Sequence, residues 1–290
     1  TQVFYNDQLH KYWTKDTKQN CISVTTLIHQ FTSFDEEFWS KYKTLEALVT
    51  AEDFKTIKPE LLDNKKFKKE YLDRFELEEV TFEERREALL KEWEIKRETS
   101  CIRGTAIHRE QELLHLAGQT KEIQQLGLGG KFTCNTSNII EPGYHIYPEL
   151  LLSRISDDGK LRLAGQADLI IVDDYDVLVL DYKTNAKIEM KSYFDRKNKK
   201  SVTLKYPLNH IQDSNFWHYT LQLSTYAWMI QKHNPKFNIK LLMLIHYDHN
   251  GGVTNYECEY LKNDVEKMLA FYKKQMEHEE FKKSRAKIEF

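Results

Sequence analysis

Cysteine, proline and glycine are all scarce in this chain of 290 residues, which holds 4 Cys, 5 Pro and 10 Gly. The cysteines, Cys21, Cys101, Cys134 and Cys258, stand far apart and form no CxxC pair, which argues against a disulfide framework and against a zinc or iron–sulfur centre. So little Pro and Gly, beside 40% hydrophobic and 30% charged residues, excludes a low-complexity chain and fits a globular one with a real core. No apolar run approaches the roughly 20 residues that a membrane helix requires, and the first thirty residues lack the basic start and apolar centre of a secretory signal. The expectation is therefore an intracellular protein with no membrane partner. No GxxxxGK[ST] phosphate loop occurs, so no nucleotide cofactor is expected. Charge of either sign is nearly absent in sum: the net charge of -2 excludes a uniformly basic coat but not a local basic groove, because the field at a cleft depends on where charges sit.

What is present changes in pattern along the chain. Val3 to Tyr5 and Tyr12 to Thr14 flank a polar turn as a short β-hairpin, and Ser23 or Thr25 can cap a helix beginning near Leu27. From Phe34 to Ser100, apolar residues such as Phe75, Leu77, Phe82, Leu89, Leu90 and Trp93 recur at helical intervals among Glu and Lys, with Pro59 as punctuation between helices. Gly104 to Leu116 reads as a helix, and the glycines that follow, Gly118, Gly127, Gly129 and Gly130, mark an irregular stretch. Three strands then succeed one another across tight polar turns, Ile146 to Ser153, Arg162 to Val172 and Val177 to Tyr182, which describes an antiparallel meander. A helix from Phe216 to Lys232, a strand from Lys240 to Tyr247, a return strand from Val253 and an amphipathic helix from Asn263 complete an α+β order. The chain divides on this reading into residues 1–100, a hairpin and helical cap or insertion, and residues 101–290, the core.

The stretch GQADLIIVDDYDVLVLDYKTN, residues 165–185, carries the chemistry. It places Asp168 on one strand and Asp181 with Lys183 on the next. Side chains alternate across a strand, so Asp181 and Lys183 share a face and Tyr182 takes the other. Asp168 can reach the same spot, and two carboxylates so close repel unless a cation lies between them, for which Mg²⁺ or Mn²⁺, as one or two ions, is the natural choice. The Tyr182 carbonyl is also placed to coordinate. Such an ion activates water and polarises a phosphodiester, while the Lys183 ammonium orients the attacking water and offsets developing charge. A structural ion pair at a sheet edge has the same appearance in sequence.

Further motifs occur in a fixed order: Gly104 with His108 in RGTAIH, Glu149 in YPELLL, Gly165 with Asp168 in GQAD, Asp181 with Lys183 in DYKT, and Gln222 with Tyr226 in QLSTY. Over residues 101–230 this set resembles the RecB-like exonuclease branch of the PD-(D/E)xK nuclease superfamily, which includes phage exonucleases and the mitochondrial genome maintenance exonuclease. The resemblance implies a restriction-endonuclease-like α+β core, a mixed central sheet flanked by helices, with the N-terminal helices as an insertion. It implies Lys183, Asp181, Asp168 and Glu149 as the catalytic set, and His108 as a metal ligand beside Asp168, Asp181, Glu149 and the Tyr182 carbonyl. Gln222 and Tyr226 would steady the active-site strand or the DNA. The segment ISVTTLI, residues 22–28, is similar to one near the start of the mitochondrial enzyme and related phage nucleases, which directs the expectation towards single-stranded DNA with a free end. The implied activity is a metal-dependent DNA exonuclease of recombination, repair or replication, in the cytoplasm of a bacterial or phage-infected cell rather than the mitochondrial matrix. Members with an iron–sulfur centre need a cysteine cluster that this chain lacks, and any ATP-driven unwinding would come from a helicase or recombination partner.

After Lys183 and Thr184, itself a candidate DNA contact, comes a basic run, Lys187, Lys191, Arg196, Lys197, Lys199, Lys200 and Lys205, interleaved with Tyr193, Phe194 and Tyr206. Cations neutralise phosphates and aromatic rings stack on unpaired bases, so the run reads as a strand guide beside the metal site. Arg103 and Arg109 flank His108 and can reach a phosphate from the same helix. Lys65, Lys66, Lys68 and Lys69 read as a solvated helix face. Other readings remain open at this point. His108, Glu112 and His115 fall at helical spacing for a zinc hydrolase, although HREQELLH is not HExxH. A structure-specific endonuclease or a catalytically silent DNA-binding module on the same fold also fits.

Overall fold

The computed structural model describes residues 3–6, 9, 11–116, 132–135, 137, 139–195 and 199–286. The glycines of the irregular stretch, Gly118 to Gly130, and the basic pair Arg196 and Lys197 lie outside the described residues. Two compact units result, one comprising Thr1–Thr32, Gly104–Phe194 and Ser201–Phe290, the other Ser33–Arg103 with Asp195–Lys200.

The first unit is built on a nine-stranded mixed sheet. Its strands begin with β1 (Val3–Asn6), β2 (Lys11–Thr14), β3 (Asn20–Ser23), β4 (Thr133–Cys134), β5 (Gly143–Ile155), β6 (Arg162–Asp174) and β7 (Asp176–Lys183). Among the described residues the short strands β8 (Phe194–Asp195) and β9 (Lys200–Ser201) form a separate pair, and β10 (Asn238–Tyr247) and β11 (Val253–Cys258) complete the main sheet. The order is β1-β2-β3-β6-β7-β10-β11, with β5 on β6 and β4 on β5. The meander expected from the three central strands is present: β5 and β6 pair antiparallel from Gly143 opposite Asp174 to Ile155 opposite Arg162, and β6 turns directly into β7. Strand β10 lies parallel to β7, a pairing that needs a crossover, and α6 (Asn215–His233) supplies it.

Alternation along β6 and β7 explains why both faces are covered. Ile170, Val172, Val177 and Val179 enter one cluster with Leu221, Leu223 and Ile230 of α6, with Val265 and Met268 of the last helix, α7 (Lys262–Ala286), and with Val24, Leu27 and Ile28 of α1 (Val24–His29). Their neighbours Leu169, Ile171, Leu178, Leu180 and Tyr182 enter another with Ile146, Met243 and Ile245. A strand buried on both faces reads as a continuous apolar run, which is how LIIV and VLVL stand in the sequence.

The N-terminal residues differ from their sequence grouping with the helical segment. The expected hairpin forms, with Val3 opposite Thr14 and Asn6 opposite Lys11, and it continues into a third strand, β3, that binds β6 in parallel through Ile22 and Ser23. Residues 1–32 thus extend the sheet. Ser23 caps α1 as expected, its Oγ accepting from the Thr26 amide at 3.0 Å.

The second unit contains α2 (Glu36–Leu48), α3 (Ala51–Asn64), α4 (Glu70–Arg74) and the first part of α5 (Glu79–Leu116) around its own core of Phe38, Tyr42, Leu45, Phe54, Ile57, Leu61, Tyr71, Leu72 and Phe82. Asp35 caps α2 and Thr50 caps α3. Pro59 does not separate helices but lies inside α3. Ile57 and Leu61, both fully buried on either side of it, hold the helix across the lost hydrogen bond. The helices read separately before and after residue 100 are one helix of 38 residues, continuous through Gly104. Lys68 and Lys69 pair with Glu60 and Glu79 in the open, as a solvated face does.

Candidate active site

The sheet opens at one point, and the charged residues gather there. On one side β6 pairs with β3 at Leu163 and Ala164 and with β7 from Leu169 onward, leaving Gly165 to Asp168 without a strand neighbour on that side among the described residues. Beyond Leu180, β7 continues beside β10 alone, with Asp181, Tyr182 and Lys183 opposite Leu244, Ile245 and His246. The Tyr182 amide, deprived of a carbonyl from β6, donates instead to Asp168 Oδ2 at 2.7 Å. One carboxylate oxygen of Asp168 therefore replaces a rung of the ladder.

On the other side of β6 the pairing with β5 is regular except at Glu149. Pro148 stands opposite Leu169 and Leu150 opposite Ala167, while Glu149 between them adopts a left-handed φ of 48°, and its carbonyl accepts from Gln166 Nε2 at 3.1 Å. For a residue with a Cβ such a backbone costs about 1–2 kcal/mol, and such strain concentrates at functional sites. The Glu149 carboxylate reaches His108, which α5 presents: Oε1 lies 3.6 Å from His108 Nδ1, and Asp168 Oδ1 lies 3.5 Å from the same nitrogen. His108 Nε2 lies 3.1 Å from the Tyr182 carbonyl oxygen. Donor atoms of His108, Glu149 and Asp168 all fall within 4.8 Å of one another.

Asp181 is almost fully buried, at 1% exposure. Its Oδ1 accepts from Gln222 Nε2 at 3.3 Å, its other oxygen ion-pairs with Lys183 Nζ, and Gln222 Nε2 also donates to the Tyr226 hydroxyl at 3.2 Å. Gly165 explains how Tyr226 comes so close. A Cβ at residue 165 would stand 2.7 Å from Tyr226 Cε1 and 3.1 Å from its hydroxyl oxygen.

The electrostatics describe a site short of positive charge. Burial and the neighbouring Asp181 carboxylate raise the Asp168 carboxyl well above the usual range. Burial alone would lower His108, yet Asp168, Glu149 and Asp181 outweigh it and push the imidazole up to about 9. Burial likewise disfavours the Lys183 ammonium, and Asp181 and Asp168 more than compensate, so its pKa is raised. Protons are retained where a cation would be welcome. An imidazole and carboxylates converging in a partly buried pocket form a donor set that suits a divalent ion, so the residues fit such a group.

The structure brings together His108, Glu149, Asp168, Asp181, Tyr182, Lys183, Gln222 and Tyr226, and it buries Gln222 and Tyr226. Thr184 is half-buried, and a Cβ at residue 104 would lie 3.5 Å from its Oγ1, which places the Gly of the RGTAIH motif against the end of β7. Lys187 and Lys191 are exposed, the first pairing with Glu189 at 2.8 Å. Arg109 is exposed and pairs with Glu112, and Arg103 falls in the second unit. The zinc arrangement of His108, Glu112 and His115 does not form: His115 is buried with Nε2 2.9 Å from the Tyr182 hydroxyl, pointing away from the carboxylates around His108. Sequence reasoning missed Tyr219, Asn185 and His246. Tyr219 stands one turn before Gln222, a spacing that could have revealed it. His246 faces Lys183 only because β10 runs parallel to β7.

The chain belongs to the PD-(D/E)XK nuclease superfamily, whose sequence profile matches residues 26–287. Two solved structures are similar in part. A protein designated SSO0001 shares 19% identity over 66% of this chain and 69% of its own, with a TM-score of 0.33. A candidate exonuclease from Eubacterium rectale shares 11% identity over 89% of this chain and 68% of its own, with a TM-score of 0.32. Among proteins of curated function, none matches the chain. Among the described residues, no helix is long and apolar enough to cross a membrane.

Proposed function

We propose that this nuclease is an Mg²⁺- or Mn²⁺-dependent DNA exonuclease of the RecB-like branch, hydrolysing phosphodiester bonds from an end of single-stranded DNA in recombination, repair or replication. The observation that carries the reading is the convergence of His108, Glu149 and Asp168 within 4.8 Å beside the Asp181–Lys183 pair. Asp168, Asp181, Glu149, His108 and the Tyr182 carbonyl would hold the metal. A divalent ion held there would supply Lewis acidity to a phosphate oxygen and lower the pKa of a water so that hydroxide is available as nucleophile at neutral pH. Lys183 orients that water and offsets the charge that develops on the phosphate. Gln222, buried and bonded to Asp181, keeps that carboxylate in place rather than touching DNA. His108 must shed its proton to become a ligand.

Selection of an unpaired strand is supported by the segment after β7. Its backbone is pinned: Asn215 Oδ1 accepts from the Glu189 amide at 2.7 Å, Asn215 Nδ2 donates to the Lys187 carbonyl at 2.9 Å, and Gln212 Oε1 accepts from the Ser192 amide at 3.0 Å. From this fixed backbone Tyr193 and Phe194 stand 63% and 51% exposed among Lys187 and Lys191. Rings suited to stacking and ammonium groups suited to phosphates form the usual platform for single strands. The test is degradation of end-labelled linear single-stranded DNA with Mg²⁺ or Mn²⁺, beside a closed single-stranded circle and the Lys183→Ala protein. Linear DNA should be consumed, the circle should survive, and Lys183→Ala should lose at least about 100-fold in rate. Cleavage of the circle would instead make it an endonuclease, and no cleavage by folded wild type with either metal would end the catalytic reading.

A further inference from the structure

Helix α6 presents a second side chain to the D-x-K strand, one turn before Gln222. The Lys183 ammonium lies over the face of the Tyr219 ring, 4.6 Å from its centroid. The Tyr219 hydroxyl donates to Asn185 Oδ1 at 2.8 Å, and the Asn185 carbonyl lies 2.7 Å from Nε2 of His246, the residue opposite Lys183 in the β7–β10 ladder. Residues three apart on a helix share a face. The same face of α6 thus grips both halves of the motif, Asp181 through Gln222 and Lys183 through Tyr219.

We infer that Tyr219 is a positioning residue for Lys183: its ring holds the ammonium beside the metal-binding carboxylates. Lysine has a flexible four-carbon stem and a compact charge that any nearby carboxylate can capture. Asp181, its ion-pair partner, is also expected to bind metal, so it cannot alone determine where the ammonium stands. A ring face attracts a cation without offering a metal a ligand. The attraction strengthens as solvent is excluded, and the Lys183 side chain is only 15% exposed. The inference rests on the nuclease reading for its kinetic consequence but not for its geometry.

Two measurements on the full chain separate these. In the metal-free protein labelled at lysine Cε, the ε-methylene resonance of Lys183, identified by its loss in Lys183→Arg, should lie upfield of the other lysines because of the Tyr219 ring current. It should persist in Tyr219→Phe and return to the common position in Tyr219→Leu. With metal and single-stranded oligonucleotide, Tyr219→Leu should lower kcat about 10- to 100-fold with KM within about threefold, and Tyr219→Phe should restore kcat to within about threefold of wild type. A Lys183 resonance unshifted in wild type, full kcat in Tyr219→Leu, or an equal loss in Tyr219→Phe would overturn the inference. If wild type shows no nuclease activity, the functional proposal fails while the resonance still judges the contact.

Discussion

Replacing Gly165 by alanine perturbs the site through shape alone. The backbone there is extended, so alanine meets no conformational penalty, and the loss of glycine's freedom in the unfolded chain should by itself stabilise by about 0.4–1 kcal/mol. Against this, the added Cβ would stand 2.7 Å from Tyr226 Cε1 and 3.1 Å from both the Tyr226 hydroxyl and Val24 Cγ2. Tyr226 is 3% exposed and its hydroxyl accepts from Gln222, so the ring cannot swing into solvent to make room. Overpacking of this kind costs about 1–3 kcal/mol, and subtracting the gain of about 0.4–1 kcal/mol leaves a net loss between about 0 and 2.6 kcal/mol. The ring, pushed away, takes Gln222 from Asp181, so activity should fall along with stability. Urea unfolding of wild type, Gly165→Ala, Tyr226→Leu and the double variant measures the coupling: Gly165→Ala should cost little when Tyr226 is already leucine, a coupling of at least about 1 kcal/mol. A stabilising Gly165→Ala, or a cost independent of residue 226, would refute the reasoning.

The protons retained at the site give two further predictions. His108 has a folded pKa of about 9, above its unfolded value, and Asp168 is likewise raised, so the stability each contributes at low pH is lost as pH rises. The metal-free protein should therefore become less stable as pH rises, from about pH 4 through Asp168 and between about pH 6.5 and 9 through His108, while Mn²⁺ affinity climbs by up to about tenfold per pH unit for each proton displaced. Calorimetric titration in buffers of different ionisation enthalpy checks this, and binding without proton release near pH 7.5 would contradict it. Asp168→Asn keeps an oxygen for the Tyr182 amide but removes a buried charge, so without metal at pH 8 it should be more stable than wild type, on the order of 1–3 kcal/mol, and catalytically dead; an unchanged or lower melting temperature would show that the charge is better compensated than its surroundings indicate.

The core and the D-x-K site were legible in the sequence because period-2 alternation specifies faces. Asp181 and Lys183 point to the α6 side and Tyr182 to the other because every second residue of VLVLDYK must enter a different cluster. The motif glycines were legible as landmarks without their reason, which is the approach of Tyr226 at Gly165 and of Thr184 at Gly104. Strand β3 escaped notice because its second partner, β6, lies far along the chain and no hairpin pattern announces that pairing. The single helix across residue 100 was hidden by Gly104, whose propensity cost of about 1 kcal/mol is small beside a helix of 38 residues. The left-handed Glu149 has no signature in YPELLL at all.

Asp168 divides its carboxylate between two duties, one oxygen to the Tyr182 amide and the other towards His108. A change in what the second oxygen binds is therefore felt at a backbone bond. The exchange rate of the Tyr182 amide hydrogen becomes a built-in gauge of how the site is filled, readable in the absence of substrate and in variants with no turnover. The same sharing sorts replacements at this position into two groups: those that retain a carbonyl-type oxygen keep the end of β7 fastened, and those that do not let it fray.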